Sequence, residues 1–299
     1  MKSVALLVGG TGFAGYHLAN QLGDRYSIVA TGRDHEVRDA QAILRLVAAT
    51  TPAIVVNLAS ITTVRETVQA PRETYEIGFF GLFNLLEALK RVDFKGRLLH
   101  ISSSEVYGFP TADELPLAET APLRPMSPYS VAKAAGESLC YQWAQSGAFD
   151  LLIARPFTHI GPGQSDRFAV ARFGREIAEI VAGRREPVIS VGSLAVTRDL
   201  TDVRDVARAY DLILHRGKNG QIYNVCSGRE IVMRDVLDTM IRLSERKIRV
   251  TEEEALIRKT EQQRLCGSYA TLNTATGWDP QVPLQRTLKD VLIAAADAH

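Results

Sequence analysis

Val4-Ala5-Leu6-Leu7-Val8-Gly9-Gly10-Thr11-Gly12-Phe13-Ala14-Gly15 is the stretch whose reading decides the fold. Five apolar residues in a row read as a strand buried on both faces, as in a parallel sheet. The glycines that follow are spaced Gly9-x-x-Gly12-x-x-Gly15 and lead into a helix predicted over 16–22. Glycines let the backbone approach a pyrophosphate, whose charge then faces the helix N-terminus. A second strand is predicted at Ser27-Ile28-Val29-Ala30. Strand, glycine loop, helix, strand is the order in which this fingerprint reads as a dinucleotide site. The second strand ends in Thr31-Gly32-Arg33-Asp34. Arg33 suits the 2′-phosphate of NADP(H), whereas Asp34 beside it suits the ribose hydroxyls of NAD(H). NADP(H) is favoured, and NAD(H) stays open.

Further strands are predicted at 53–59, 96–102 and 150–156, alternating with helices over 40–49, 75–90 and 128–145. Only a brief strand fits near Val37. This alternation implies an α/β fold with a doubly wound parallel sheet of the Rossmann kind. After Phe157 the pattern changes to a loop, Gly161-Pro162-Gly163, helices over 168–182 and 206–215, and shorter elements. The expected division is a dinucleotide-binding domain of residues 1–158 plus roughly 191–225. A smaller, discontinuous α/β lobe of residues 159–190 and 226–299 would close a cleft over the ligand.

A chain of 299 residues has room for two such lobes. Its net charge of +1 gives no bulk attraction to nucleic acid or membranes, so an anionic ligand needs local arginines. The apolar run at Val4–Val8 is too short for a secretory signal, and no run of about eighteen apolar residues suggests a membrane span. Cys140, Cys226 and Cys266 are odd in number and widely spaced. Reduced thiols in a cytoplasmic protein are expected, and no metal site.

The candidate chemistry lies in Ser102-Ser103-Ser104-Glu105-Val106-Tyr107-Gly108 and Pro128-Tyr129-Ser130-Val131-Ala132-Lys133. Tyr129 and Lys133, four apart on a helix, share one face. An ammonium beside a phenol favours the phenolate, so Lys133 is expected to lower the Tyr129 pKa. The serine loop follows a core strand, at the carboxyl end where such sheets bind ligands. There a serine hydroxyl can hold a reacting oxygen while Tyr129 supplies a proton and a nicotinamide the hydride. Asn57-Leu58-Ala59-Ser60, also ending a strand, should lie along the cofactor.

These motifs resemble those of the extended short-chain dehydrogenase/reductases over nearly the whole chain. Within that group the chain resembles the GDP-4-keto-6-deoxy-D-mannose reductases that form GDP-D-rhamnose. Four stretches carry the likeness: Arg124–Tyr129, His159–Gln164, Arg198–Asp205 and Tyr223–Gly228. The resemblance implies that Ser103 holds the C4 oxygen, Tyr129 donates the proton, and Lys133 also holds the nicotinamide ribose. It implies diphosphate contacts from Arg198 and Arg258 and a nucleoside ribose contact from Glu261. Phe13, Ala14, Leu58, Ala59, Ser60, Pro156 and Tyr129 itself complete the expected cofactor contacts. Ser104, Glu105 and Thr158 complete those to a GDP-linked 4-keto-6-deoxyhexose. The resemblance also implies a homodimer joined through helices 75–90 and 128–145. Gly78, Thr158 and Lys259 depart from its pattern, which usually has asparagine at the first two positions and proline at the third.

Glu105 keeps a dehydratase open, because in the GDP-mannose 4,6-dehydratases a glutamate here removes the C5 proton. Those enzymes usually have threonine where Ser103 stands. A C4 epimerase with tightly held NAD needs the same trio and is weighed against by Arg33. A non-catalytic NADP-binding sensor is disfavoured because such proteins often lose the tyrosine or lysine.

Overall fold

The computed structural model describes residues 2–32, 36–61, 63–256 and 262–298. Arg33, Asp34, Arg258, Lys259 and Glu261 lie outside the described residues. The first half runs β1 (Ser3–Val8), α1 (Phe13–Leu22), β2 (Tyr26–Ala30), α2 (Ala40–Thr50) and β3 (Ile54–Asn57). Then come α3 (Val64–Gln69), α4 (Pro71–Tyr75), a π-helical turn over Glu76–Phe80, and α5 (Gly81–Arg91). The half ends with β4 (Arg97–Ile101), α6 (Pro128–Gln145) and β5 (Asp150–Pro156). The second half opens with β6 (Thr158–Ile160), α7 (Ala169–Val181), β7 (Val188–Val191), β8 (Thr197–Asp202) and α8 (Val203–Arg216). It continues through β9 (Ile222–Val225), β10 (Glu230–Val232), α9 (Met233–Leu243) and β11 (Arg249–Glu252) to α10 (Ala270–Thr276) and α11 (Leu284–Asp297).

Six strands form one parallel sheet of order β2-β1-β3-β4-β5-β9. Leu6 and Leu7 alternate between its faces and are both fully buried. On one face Leu7, Val56 and Leu152 pack beneath Leu18, Leu22, Tyr210 and Trp278 from the helical side. On the other, Leu6, Val55 and Leu98 meet Ile43, Leu85 and Trp143. Strand order reverses between β1 and β3, which places a crevice at the carboxyl ends, where open α/β sheets bind ligands. A separate core of Phe173, Ile177, Leu237, Met240 and Leu288 holds the smaller layer together. Among the described residues no helix is long and apolar enough to cross a membrane.

The structure departs from the expected layout at several places. The helix predicted over 75–90 is interrupted by the π turn, in which Gly78 is buried against α6. A Cβ at Gly78 would stand 3.1 Å from that of Ala132, so the turn allows close approach of the helix that carries the candidate catalytic pair. Val37 lies in a turn, not a strand, with its side chain buried against the helical layer. Residues 197–202, expected in the larger domain, form β8 between β6 and β10 in a separate three-stranded sheet. Their mixture of charged and apolar residues carries no strand signature, because the polar side chains are satisfied inside the fold. Asp202 accepts from the Arg204 amide and starts α8 three residues earlier than predicted.

Candidate functional site

The glycine loop is stitched to the end of β2. Thr31, 1% exposed, accepts Gly9 N on its hydroxyl at 3.3 Å and Thr11 N on its carbonyl at 3.2 Å. Gly9 has φ +76°, and a Cβ there would lie 2.6 Å from Ala59 N. The loop and the strand-end segment Leu58–Ser60 therefore run against each other as one half-buried surface. Gly12 begins α1 in extended conformation with no side-chain cap, which leaves the helix N-terminus free to meet an anion. Phe13 follows and stacks on His159 at 5.9 Å between ring centroids. The loop thus fits a dinucleotide pyrophosphate. Asn57, 3% exposed, bonds Ala59 N through its carbonyl oxygen and His100 Nδ1 through its amide, both at 3.3 Å. Burial holds His100 well below its ordinary pKa, so the neutral ring accepts that bond.

The start of α6 is fixed by Ser127, whose hydroxyl accepts Ser130 N at 3.1 Å while Ser130 Oγ accepts Ser127 N at 2.9 Å. Pro128 at the first helical position completes the signal. This sets Tyr129 and Lys133 at the carboxyl edge of the sheet. Ser103 shares a hydrogen bond with the Tyr129 hydroxyl, and Glu105 lies near enough to act on it electrostatically. Lys133 is 2% exposed and donates from Nζ to the Ile101 carbonyl at 2.7 Å. Its Nζ lies 5.8 Å from the centre of the Tyr129 ring.

The proton chemistry differs from the expected one. Burial pushes Tyr129 up to about 12, opposed by the Ser103 bond and aided by Glu105. The Ser103 bond is the influence that pulls it down, while the Lys133 ammonium is bound to the Ile101 carbonyl. Desolvation outweighs the attraction, and the phenol is a proton donor at neutral pH. Lys133 is itself lowered to about 8 by burial, with Cys140 and Glu137 pushing the other way. Below that value it is an ammonium and above it a neutral amine. The kcat/KM for the cofactor, which reports the ligand-free enzyme, is therefore expected to fall about tenfold per pH unit above about 8. A pH profile flat to the tyrosine range would contradict this assignment.

Thr158 and Arg198 lie on the paired strands β6 and β8, Thr158 opposite Leu200. Arg198 donates from Nη1 to the carbonyls of Thr197 and Gln262, at 2.7 and 2.8 Å. Gln262 in turn donates from Nε2 to the Gly108 carbonyl at 2.7 Å. The arginine expected at a diphosphate is thereby linked to the catalytic loop. Asp199 beside it is fully buried and accepts Ser227 N and Oγ, Gly228 N and Gly267 N. It joins β8 to the turn after β9 and to the segment after Gln262. Pro156 is buried at the end of β5, opposite Val225. Ser104 is buried in the 3-10 turn that follows Ser103.

Sequence reading missed Thr31, Asn57, His100, Asp199 and Gln262 as organisers. The signal for Asn57 and His100 was present as single polar residues inside apolar strands. Gln262 gave none, because its partners, the Arg198 guanidinium and the Gly108 carbonyl, are far away in sequence.

The family description GDP-mannose 4,6 dehydratase matches residues 30–291. The chain is similar to a GDP-6-deoxy-D-mannose reductase of Pseudomonas aeruginosa, 40% identical over 241 residues, 81% of this chain and 79% of the relative. It is also similar to a GDP-mannose 4,6-dehydratase of Vibrio cholerae, 25% identical over 351 aligned residues, 97% of this chain and 93% of the relative. Among solved structures, RMD from Pseudomonas aeruginosa complexed with NADPH superposes with a TM-score of 0.92 at 35% identity. That likeness covers 100% of this chain and 99% of the other.

Proposed function

The chain belongs to the GDP-mannose 4,6-dehydratase family of the extended short-chain dehydrogenase/reductases, and from that premise we propose that it reduces a GDP-linked 4-keto-6-deoxyhexose. The substrate is GDP-4-keto-6-deoxy-D-mannose and the product GDP-D-rhamnose, a precursor for deoxysugar polymers. The observation that carries the direction is the likeness to the Pseudomonas aeruginosa reductase, 40% identical over 81% of this chain, and the buried Tyr129 phenol beside Ser103 agrees with it. A reductase must start with a proton to give, whereas the reverse oxidation must start with a base.

NADPH, when bound, supplies the hydride to C4. The glycine loop and α1 N-terminus face its pyrophosphate, and Lys133 is placed to hold the nicotinamide ribose. Ser103 steadies the developing C4 alkoxide, which Tyr129 protonates. Arg198 meets the nucleotide diphosphate, helped by Arg258. NADH is the weaker alternative, in line with Arg33. NADPH carrying deuterium on the transferring face of its nicotinamide should place that label at C4 of the hexose. NMR of the product reads both the label and the stereochemistry, and a product with no label at C4 would rule out direct reduction.

A dehydratase is the second reading, favoured by Glu105, which lies half-buried within electrostatic reach of Tyr129. A carboxylate so placed suits removal of the C5 proton.

The assembly is a homodimer built on residues 75–90, which span the π turn and most of α5, and on α6. Phe80 is 55% exposed, Phe83 40% and Tyr141 61%, while Phe79 and Leu139 are only partly so. Exposed large apolar side chains on these elements support an association surface. Sedimentation is expected to give a dimer, and a monomer at micromolar concentration would remove this surface from the account. Three buried thiols, Cys140, Cys226 and Cys266, are consistent with a cytoplasmic location.

A further inference from the structure

Behind the catalytic residues lies a largely buried polar network. Glu137, one helical turn after Lys133, is 4% exposed, and Arg155 on β5 is 3% exposed. Arg155 donates to both Glu137 oxygens, from Nε at 2.9 Å and Nη2 at 2.6 Å. Its Nη1 donates to the Tyr107 hydroxyl at 2.8 Å and to the Glu119 carbonyl at 3.0 Å. Tyr107 donates onward to Asn224 Oδ1 at 2.7 Å. At the other end, the Ser102 hydroxyl donates to Glu137 Oε1.

We infer that the Glu137–Arg155 pair is a positioning device for the reaction, clamping both ends of the Ser102–Tyr107 loop to the catalytic helix. The inference rests on the reductase reading and deepens it. Three features support it. Ser102 and Tyr107, which flank Ser103 and Glu105, are each 1% exposed and bind opposite members of the pair. Successive turns of α6 reach the same strand end, Lys133 to the Ile101 carbonyl and Glu137 to the Ser102 hydroxyl. And a buried ion pair is a poor source of stability, since apolar residues of similar volume often replace one without loss. What the pair fixes is direction: Ser103 relative to Tyr129, across two elements with no covalent link nearby.

The test replaces the pair as Glu137→Met with Arg155→Met, and in parallel removes the two hydroxyls as Ser102→Ala with Tyr107→Phe. Each double variant is expected to lower kcat for the keto sugar by about 10- to 100-fold, with the NADPH dissociation constant changed less than about threefold. Hydrogen exchange of the amides over 102–108 should speed up in both, while amides of α1 keep wild-type rates. Should the methionine variant fail to fold, the hydroxyl variant, which leaves the ion pair in place, carries the same expectation. A folded variant of either kind with wild-type kcat and unchanged exchange over 102–108 overturns the inference. Turnover by the unsubstituted protein in the same assay separates the two claims. If it is absent, the reductase reading fails, and the exchange rates alone decide whether the clamp orders this loop.

Discussion

Tyr129→Phe is expected to lower kcat by about a thousandfold, within the range of a lost general acid, while NADPH still binds. The substitution removes one oxygen, and with it the proton donor and the bond shared with Ser103. Among the described residues, neither Lys133 nor Glu105 is positioned to replace it. Lys133 donates to the Ile101 carbonyl, and Glu105 repels the negative charge that would form on the phenol. The glycine loop is held by Thr31 and Ala59, not by the tyrosine, so cofactor affinity measured by nicotinamide fluorescence should change little. Turnover within about tenfold of wild type would remove Tyr129 from the acid role.

The second large effect is expected from Gly15→Ala, which adds one methyl group. Its Cβ would stand 2.2 Å from the Gly10 carbonyl oxygen and 2.5 Å from the Gly10 carbonyl carbon. Both are backbone, and Gly10 is itself bonded to the Leu7 carbonyl at 3.0 Å, so neither side can yield cheaply. Overpacking of this kind costs about 1–3 kcal/mol. If the bound loop carries that cost, NADPH affinity falls by about 5- to 150-fold. Gly147→Ala is the control. Its φ of +67° imposes strain, but an added Cβ meets nothing within 4 Å and the turn lies away from the loop. It should lower the melting temperature slightly and leave NADPH affinity unchanged. Equal NADPH affinity in the Gly15 variant and the wild type would contradict the close approach of loop and helix.

What could be read in advance follows from how locally each feature is encoded. The parallel sheet was legible because strands buried on both faces are continuous apolar runs, as at Ala5–Val8 and at Leu151–Ala154. The start of α6 was legible because Pro128 announces it. By contrast, β8 contains Arg198, Asp199, Thr201 and Asp202, a polar pattern that only the buried bonds of Asp199 and Asp202 explain. Gly78 stands out in the sequence as a departure, but its consequence, a π turn packed on Ala132, needs the two helices together. The pKa of Tyr129 went the other way because spacing reports that a lysine is near, not how deeply the phenol is buried. The Glu137–Arg155 clamp joins residues on different elements, so no spacing reveals it.

The most direct measurement is the nicotinamide absorbance on mixing the protein, NADPH and GDP-4-keto-6-deoxy-D-mannose, with GDP-mannose as the parallel substrate. Oxidation of NADPH with the keto sugar, and none with GDP-mannose, is the expected result. A silent nicotinamide signal with the keto sugar, together with conversion of GDP-mannose to that sugar, would contradict it and make Glu105 the base of a dehydratase.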